Sequence, residues 1–122
     1  MERQRALVVD DDDPIRAMLV NLVEHLDFDV DSARDGAEAI QRLEDDGYDV
    51  VLLDLMMPHV DGWAVLDHMS LVDPDRLRHT IIASAVPQTE IVKRMNAPVF
   101  TVHAKPFDIG QLIADIRAAA IN

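Results

Sequence analysis

The chain has 122 residues, 49% of them apolar, with 23 acidic and 11 basic side chains for a formal charge of −12. That is enough apolar mass for the core of one domain, and its negative field repels polyanions, so direct nucleic-acid binding is not expected. There is no cysteine, which excludes disulfides and thiolate zinc sites and makes a reducing cytoplasm the expected setting; the apolar stretch near the start is too short for a signal peptide, and no run approaches the ~20 apolar residues of a membrane span.

Short apolar runs alternate with helical patterns. Residues 6–9 predict a first strand. Ile15, Met18, Leu19, Leu22, Val23 and Leu26 then form one stripe of an amphipathic helix, with Pro14 suited to its first position and Asp12 or Asp13 to its cap. A weak strand is expected around residues 28–32. Asp35-Gly36 opens a second helix carrying Ala37, Ile40 and Leu43, with Gly47 as its expected end. Residues 50–53 are apolar on both faces, as a central parallel strand should be. Asp61-Gly62 starts a third helix with Val65, Leu66 and Met69, and residues 71–77 read as a loop with local turns. Residues 80–83 predict a fourth strand; Ile91, Val92 and Met95 a short fourth helix; residues 99–103 a fifth strand; and Ile109, Leu112, Ile113 and Ile116 one face of a last helix. Five βα units without a linker or repeat predict one α/β domain over residues 1–122, its parallel sheet covered by helices on both faces.

Ligands in such folds bind beyond the carboxyl ends of the strands. There the sequence places Asp10 and Asp11 after the first strand, Asp54 after the third, Ser84 after the fourth and Lys105-Pro106 after the fifth. Singly, a strand-end aspartate is an ordinary turn residue or helix cap, and a lone serine or lysine is surface decoration. Five such groups on one sheet edge are harder to explain that way. Three carboxylates raise one another's pKa unless a cation offsets them. Mg²⁺ fits, because it is a hard ion that binds one or two carboxylates together with phosphate oxygens. A carboxylate can also attack phosphorus, and the phosphoryl charge is then neutralised by a metal on one side and an ammonium group on the other. Lys105 suits that ammonium role, and Ser84 can donate a hydrogen bond to a phosphoryl oxygen.

Four strings, Val8-Val9-Asp10-Asp11-Asp12-Asp13-Pro14-Ile15-Arg16, Val51-Leu52-Leu53-Asp54-Leu55-Met56-Met57-Pro58-His59-Val60-Asp61-Gly62, Ser84-Ala85 and Lys105-Pro106-Phe107, together resemble bacterial receiver domains of two-component response regulators. The resemblance holds in order over nearly the whole chain. It implies a flavodoxin-like strand order 2-1-3-4-5 and a phosphorylation switch in a two-component or phosphorelay system. By position it implies that Asp54 is the phosphoacceptor, and that Asp11 ligates Mg²⁺ directly and Asp10 largely through water. Asp54 and the backbone carbonyl of Met56 would complete the metal site. Lys105 would pair with phosphoryl oxygens, ahead of a cis peptide to Pro106, and Ser84 would be the switch hydroxyl. The donor would be a phosphohistidine on a sensor histidine kinase or histidine phosphotransfer protein, and an output protein would read the change. Such a chain is not an enzyme beyond its own phosphorylation and slow dephosphorylation.

Some positions depart from the family pattern. Three residues before the lysine, where an aromatic often sits, stands Val102, followed by His103. Met56 and Val86, two residues after Asp54 and Ser84, are apolar and cannot orient a hydrolytic water, which predicts a long-lived phosphoryl group. The five histidines are scattered without metal-site spacing and read as surface or boundary residues, with His59 worth watching because it follows Asp54. Two rivals stand beside the receiver reading. A haloacid-dehalogenase-type phosphotransferase would use Asp10 and Asp12, but leaves Asp54 unexplained; a receiver fold that is no longer phosphorylated would be a pure binding module, but is expected to lose an acidic group or the lysine.

Overall fold

The computed structural model describes residues 3–45 and 47–121. Five strands, β1 (Arg5–Val9), β2 (Asp29–Ala33), β3 (Val50–Leu53), β4 (Thr80–Ser84) and β5 (Thr101–Ala104), form one parallel sheet in the order β2-β1-β3-β4-β5. The helices between and after them are α1 (Asp13–His25), α2 (Gly36–Leu43), α3 (Gly62–Val72), α4 (Gln88–Arg94) and α5 (Ile109–Ile121). This is the flavodoxin-like order that the resemblance to receiver domains implies.

Successive strand residues point to opposite faces, so a strand buried on both faces feeds two cores. Leu7, Val9, Val51, Leu53 and Ile82 pack with Ala39 of α2, Val65, Leu66 and Met69 of α3, and Ile91 of α4. Ala6, Val8, Val50, Leu52 and Ile81 pack with Leu19 and Val23 of α1 and with Leu112, Ile116 and Ala119 of α5. Helices α1 and α5 thus cover one face, and α2, α3 and α4 the other. Each large side chain so buried contributes about 1.5–3 kcal/mol.

Aspartates set the helix starts. Asp12 accepts the Ile15 N–H at 3.0 Å, Asp35 the Glu38 N–H at 2.8 Å, Asp61 the Ala64 N–H at 2.9 Å, and Asp108, just before α5, the Gln111 N–H at 3.0 Å. Each satisfies an amide with no partner inside the helix, and its charge faces the positive helix end. α4 lacks this device. It has Pro87 at its cap, seven residues and one buried side chain, Ile91.

Several boundaries differ from the sequence expectations. α2 ends at Leu43 with Glu44 as its cap, not at Gly47. Gly47 instead lies against the Arg5 guanidinium, where a Cβ would collide with Nη1. Asp27, just beyond α1, has a left-handed backbone with φ 69°. Residues 71–77 are not a loop: Leu71 and Val72 finish α3, and a 3₁₀ helix follows over Pro74–His79. Pro74 occupies a favoured first-turn position, and Leu77 and Arg76 are buried on that turn. β2 is displaced one residue from its expected span. β5 starts two residues late, since Pro98 has no N–H for the ladder and the Val99 N–H turns back to the Ala97 carbonyl at 2.9 Å.

At the amino-terminal end of the sheet, Tyr48 is buried, with Arg5 stacked over its ring at 4.7 Å and Arg76 at 5.9 Å. Its hydroxyl donates to Asp31 Oδ2 at 2.6 Å. Burial first, and then the bond to the Asp31 carboxylate, push the phenol up to about 12. Because the fold favours the neutral phenol, this contribution to stability is complete below pH ~10 and is lost as the pH rises towards 12. Tyr48 is the only tyrosine in the chain, so its ionisation is read directly from the ultraviolet absorbance of phenolate. The expected midpoint is near 12 in the wild type and lower in Asp31→Asn; a wild-type midpoint near 10, the value of a free phenol, contradicts this packing.

Candidate functional site

The three groups that define the site are each the first residue beyond a strand, and each is still held by the ladder. The Asp10 N–H donates to the Ala33 carbonyl at 3.1 Å, the Asp54 N–H to the Val9 carbonyl at 3.0 Å, and the Lys105 N–H to the Ser84 carbonyl at 3.0 Å. The ladder therefore fixes where the side chains leave β1, β3 and β5. Gly62, the first residue of α3, packs so closely that a Cβ would collide with the Asp54 carbonyl oxygen, and its N–H donates to the Leu55 carbonyl at 3.0 Å. This close approach brings the start of α3 directly behind Asp54.

Lys105 Nζ reaches Asp10 Oδ2 at 2.8 Å and Asp54 Oδ2 at 3.3 Å. The second oxygen of Asp10 accepts the Asp12 N–H at 2.9 Å, and that of Asp54 accepts the Met56 N–H at 3.2 Å. Asp10 and Asp54 are buried, at 1% and 4% exposure, whereas Asp11 is exposed. Carboxylate oxygens of Asp10, Asp11 and Asp54 all lie within 4.8 Å of one another. Three hard oxygen donors so close together suit a divalent cation such as Mg²⁺, with Asp11 open to solvent on the approach side.

Burial pushes the Asp54 carboxyl above its ordinary value; Lys105 opposes this shift, and the neighbouring Asp10 charge reinforces it. For Lys105, burial acts to lower the pKa, but hydrogen bonding to Asp10 and attraction by both carboxylates outweigh it and hold the ammonium above its ordinary value.

The structure brings Asp10, Asp11, Asp54 and Lys105 together, as the sequence predicts. Ser84 is fully buried at the end of β4, and its Oγ accepts the Val86 N–H at 3.3 Å. For Met56 the bonded group is the amide, which faces Asp54. The Lys105–Pro106 peptide is cis. Asp12 is the α1 cap and not a partner of Asp10 in chemistry, so the haloacid-dehalogenase reading is not favoured. His59 has φ 63° and is exposed. It lines a cavity of about 350 Å³ beside Asp11 but adds no ligand atom to the three-carboxylate group.

A larger cavity of about 600 Å³ adjoins Asp11 and is lined by Met56, Trp63, Val86, Glu90 and Arg94 among others. The Arg94 guanidinium stacks 4.4 Å from the Trp63 ring, joining α4 to the start of α3. The sequence reading missed the pair formed by His103 Nε2 and Asp115 Oδ2, 2.7 Å apart, in which the histidine is 9% exposed. Val102 packs on the α2–α4 side, and the strand alternation sends His103 to the α5 side. His103 therefore does not take the place of an aromatic at position 102. Only the placement of Asp115 beside the apolar stripe of α5 hinted at this pair.

Comparison with known proteins agrees with the fold. Residues 6–117 match the family described as response regulator receiver domain. The chain is 33% identical over 114 residues to response regulator MprA of Mycolicibacterium vanbaalenii and 32% identical to MprA of Mycobacterium ulcerans. Each match covers 93% of this chain and 49% of the relative, so the chain spans about half the length of these curated relatives. Among solved structures, the receiver domain of Francisella response regulator 1452 superposes with a TM-score of 0.84 at 28% identity, covering 97% of both chains. The response regulator TrrA of Thermotoga maritima, solved in complex with Mg²⁺–BeF, gives 0.83 at 25% identity, covering 95% of this chain and 98% of that one. The chain belongs to the response regulator receiver domain family, whose members act as phosphoacceptors in two-component signalling.

Asp54 also affects stability. Its pKa is raised in the fold, so stability is lost as the pH rises through that value and the buried charge forms. Near neutral pH and without metal, Asp54→Asn is therefore expected to raise the thermal midpoint by a few degrees. Mg²⁺ should stabilise the wild type more than this variant. Scanning calorimetry in EDTA and in Mg²⁺ checks both signs, and an Asn variant that melts lower in EDTA contradicts the electrostatic account.

Proposed function

We propose that Asp54 is the phosphoacceptor, with Asp10, Asp11, Asp54 and the Met56 backbone carbonyl as Mg²⁺ ligands, and Lys105 and Ser84 as the groups that meet the phosphoryl oxygens. The observation that carries this reading is Lys105 Nζ bridging Asp10 and Asp54 beside a third carboxylate, from positions 51 and 95 residues apart. When bound, Mg²⁺ supplies positive charge to carboxylate and phosphoryl oxygens together. The Mg²⁺–BeF complex of the Thermotoga relative lends support, because the oxygen donors here suit the same ion.

In the reaction proposed, an Asp54 carboxylate oxygen attacks phosphorus of a phosphohistidine. An O–P bond forms, the N–P bond breaks, and its electron pair returns to the imidazole, which is released to be protonated. Lys105 already spans Asp54 and Asp10, so it can follow the charge onto the phosphoryl group without moving far. The Ser84 Oγ accepts the Val86 N–H, which leaves its own hydrogen to be donated to that group. Residues 1–122 would act as one receiver unit, with a sensor histidine kinase or histidine phosphotransfer protein as donor and an output protein as reader. The added charge would bias the segments after β4 and β5, where α4 is the least anchored helix.

Intact mass after incubation with acetyl phosphate and Mg²⁺ tests the assignment. One phosphoryl group is expected on the wild type, none on Asp54→Asn, and none in EDTA. If Asp54→Asn is labelled while Asp10→Asn is not, the acceptor is Asp10.

The phosphoryl group should also persist. Met56 is exposed and Val86 half-buried on the wall of the adjoining cavity, and neither side chain offers a strong hydrogen-bonding group to orient an attacking water. We expect the aspartyl phosphate to survive for many minutes at neutral pH without a phosphatase, and Met56→Asn to shorten its life several-fold. Decay of the wild type within seconds, followed by mass or by ³¹P resonance, contradicts this.

A further inference from the structure

Asp10, Asp11, Asp12 and Asp13 place four carboxylates in succession at the end of β1, and their repulsion drives such a loop apart. Asp10 is held by Lys105 and by the Asp12 N–H, and Asp12 is held as the α1 cap. Asp11 is exposed. The direction of its side chain depends on the peptide that joins it to Asp10. The carbonyl oxygen of that peptide accepts a hydrogen bond from Arg16 Nη1 at 2.9 Å, and Nη2 of the same guanidinium pairs with Asp13. Arg16 belongs to the first turn of α1, its own N–H donates to the Asp12 carbonyl at 2.8 Å, and its side chain is 19% exposed.

A peptide unit is planar, so fixing the Asp10 carbonyl sets the plane from which Asp11 departs. A guanidinium can hold two acceptors at fixed angles, which a single ammonium group cannot do as rigidly. We infer that Arg16 is a positioning residue for the Mg²⁺ site: its fork fixes the Asp10–Asp11 peptide and restrains Asp13, and so keeps Asp10 and Asp11 preorganised for the ion. The inference rests on the reading of Asp10, Asp11 and Asp54 as the metal site.

Charge and position make opposite predictions. A cation so near the site weakens Mg²⁺ binding by Coulomb repulsion, so its removal should tighten binding if charge is all that matters. If Arg16 acts by positioning, its removal should weaken binding, by about 10-fold on the scale typical of groups that orient metal ligands. The test is calorimetric titration of metal-free protein with MgCl₂, comparing wild type, Asp11→Asn, Arg16→Met and Arg16→Lys. We expect Arg16→Met to lose about 10-fold in affinity and Arg16→Lys, which keeps the charge but not the fork, to lose less. In acetyl phosphate labelling, the Mg²⁺ concentration for half-maximal rate should rise by the same factor in Arg16→Met, while the rate at saturating Mg²⁺ returns to that of the wild type. A general loss of fold does not give this split. Affinity in Arg16→Met equal to or tighter than wild type, with binding lost in Asp11→Asn, overturns the inference. If Arg16→Met does not fold, unchanged affinity in Arg16→Lys overturns it. Wild-type affinity in Asp11→Asn overturns instead the metal-site reading on which the inference stands.

Discussion

One ammonium group between two buried carboxylates holds the functional end of the sheet together. Lys105 lies at the end of β5, and Asp10 and Asp54 at the ends of β1 and β3, with β4 between β3 and β5. Without the lysine, Asp10 and Asp54 would share a water-poor pocket with no counter-charge, a costly arrangement. With it, the pair is tolerated, but Asp11 stands beside them and the negative charge still exceeds the positive. That remaining imbalance makes the pocket receptive to a hard cation; burial, reinforced by the Asp10 charge, keeps the pKa of Asp54 above its ordinary value even with a lysine in contact.

The acidity of the chain divides into parts with different physical causes. Asp12, Asp35, Asp61 and Asp108 satisfy helix-start amides. Asp31 and Asp45 hold Arg5 at the opposite end of the sheet from the site. Asp115 holds His103 between β5 and α5. What separates Asp10 and Asp54 from these is burial against each other. Sequence position alone does not distinguish Asp12 from Asp10. The structure does, because the carboxylate of Asp12 turns along α1 while that of Asp10 turns to Lys105.

Much of this was legible from residue order. The strand Val50–Leu53 was readable to the residue, because a run apolar on both faces has few alternatives in an α/β chain. Asp10, Asp11, Asp54 and Lys105 followed from one rule, that sites gather beyond strand ends. What could not be read depended on contacts between distant segments. Gly47 resembles a helix terminator, but its role is to leave room for Arg5, 42 residues earlier in the chain. The 3₁₀ turn Pro74–His79 is polar in sequence, yet Arg76 is buried there because Asp73 and the Tyr48 ring receive it. His103 looked like one of five scattered histidines until the register of β5 against α5 placed Asp115 beside it.

The stack of Arg94 on Trp63 has a practical consequence. Trp63 is the only indole in the chain, and the cation above it is carried by the helix with the fewest anchors. Indole emission is sensitive to a charge at such range. The protein therefore contains a natural optical gauge of where α4 sits, readable in an unlabelled sample and in real time while the neighbouring pocket fills and empties.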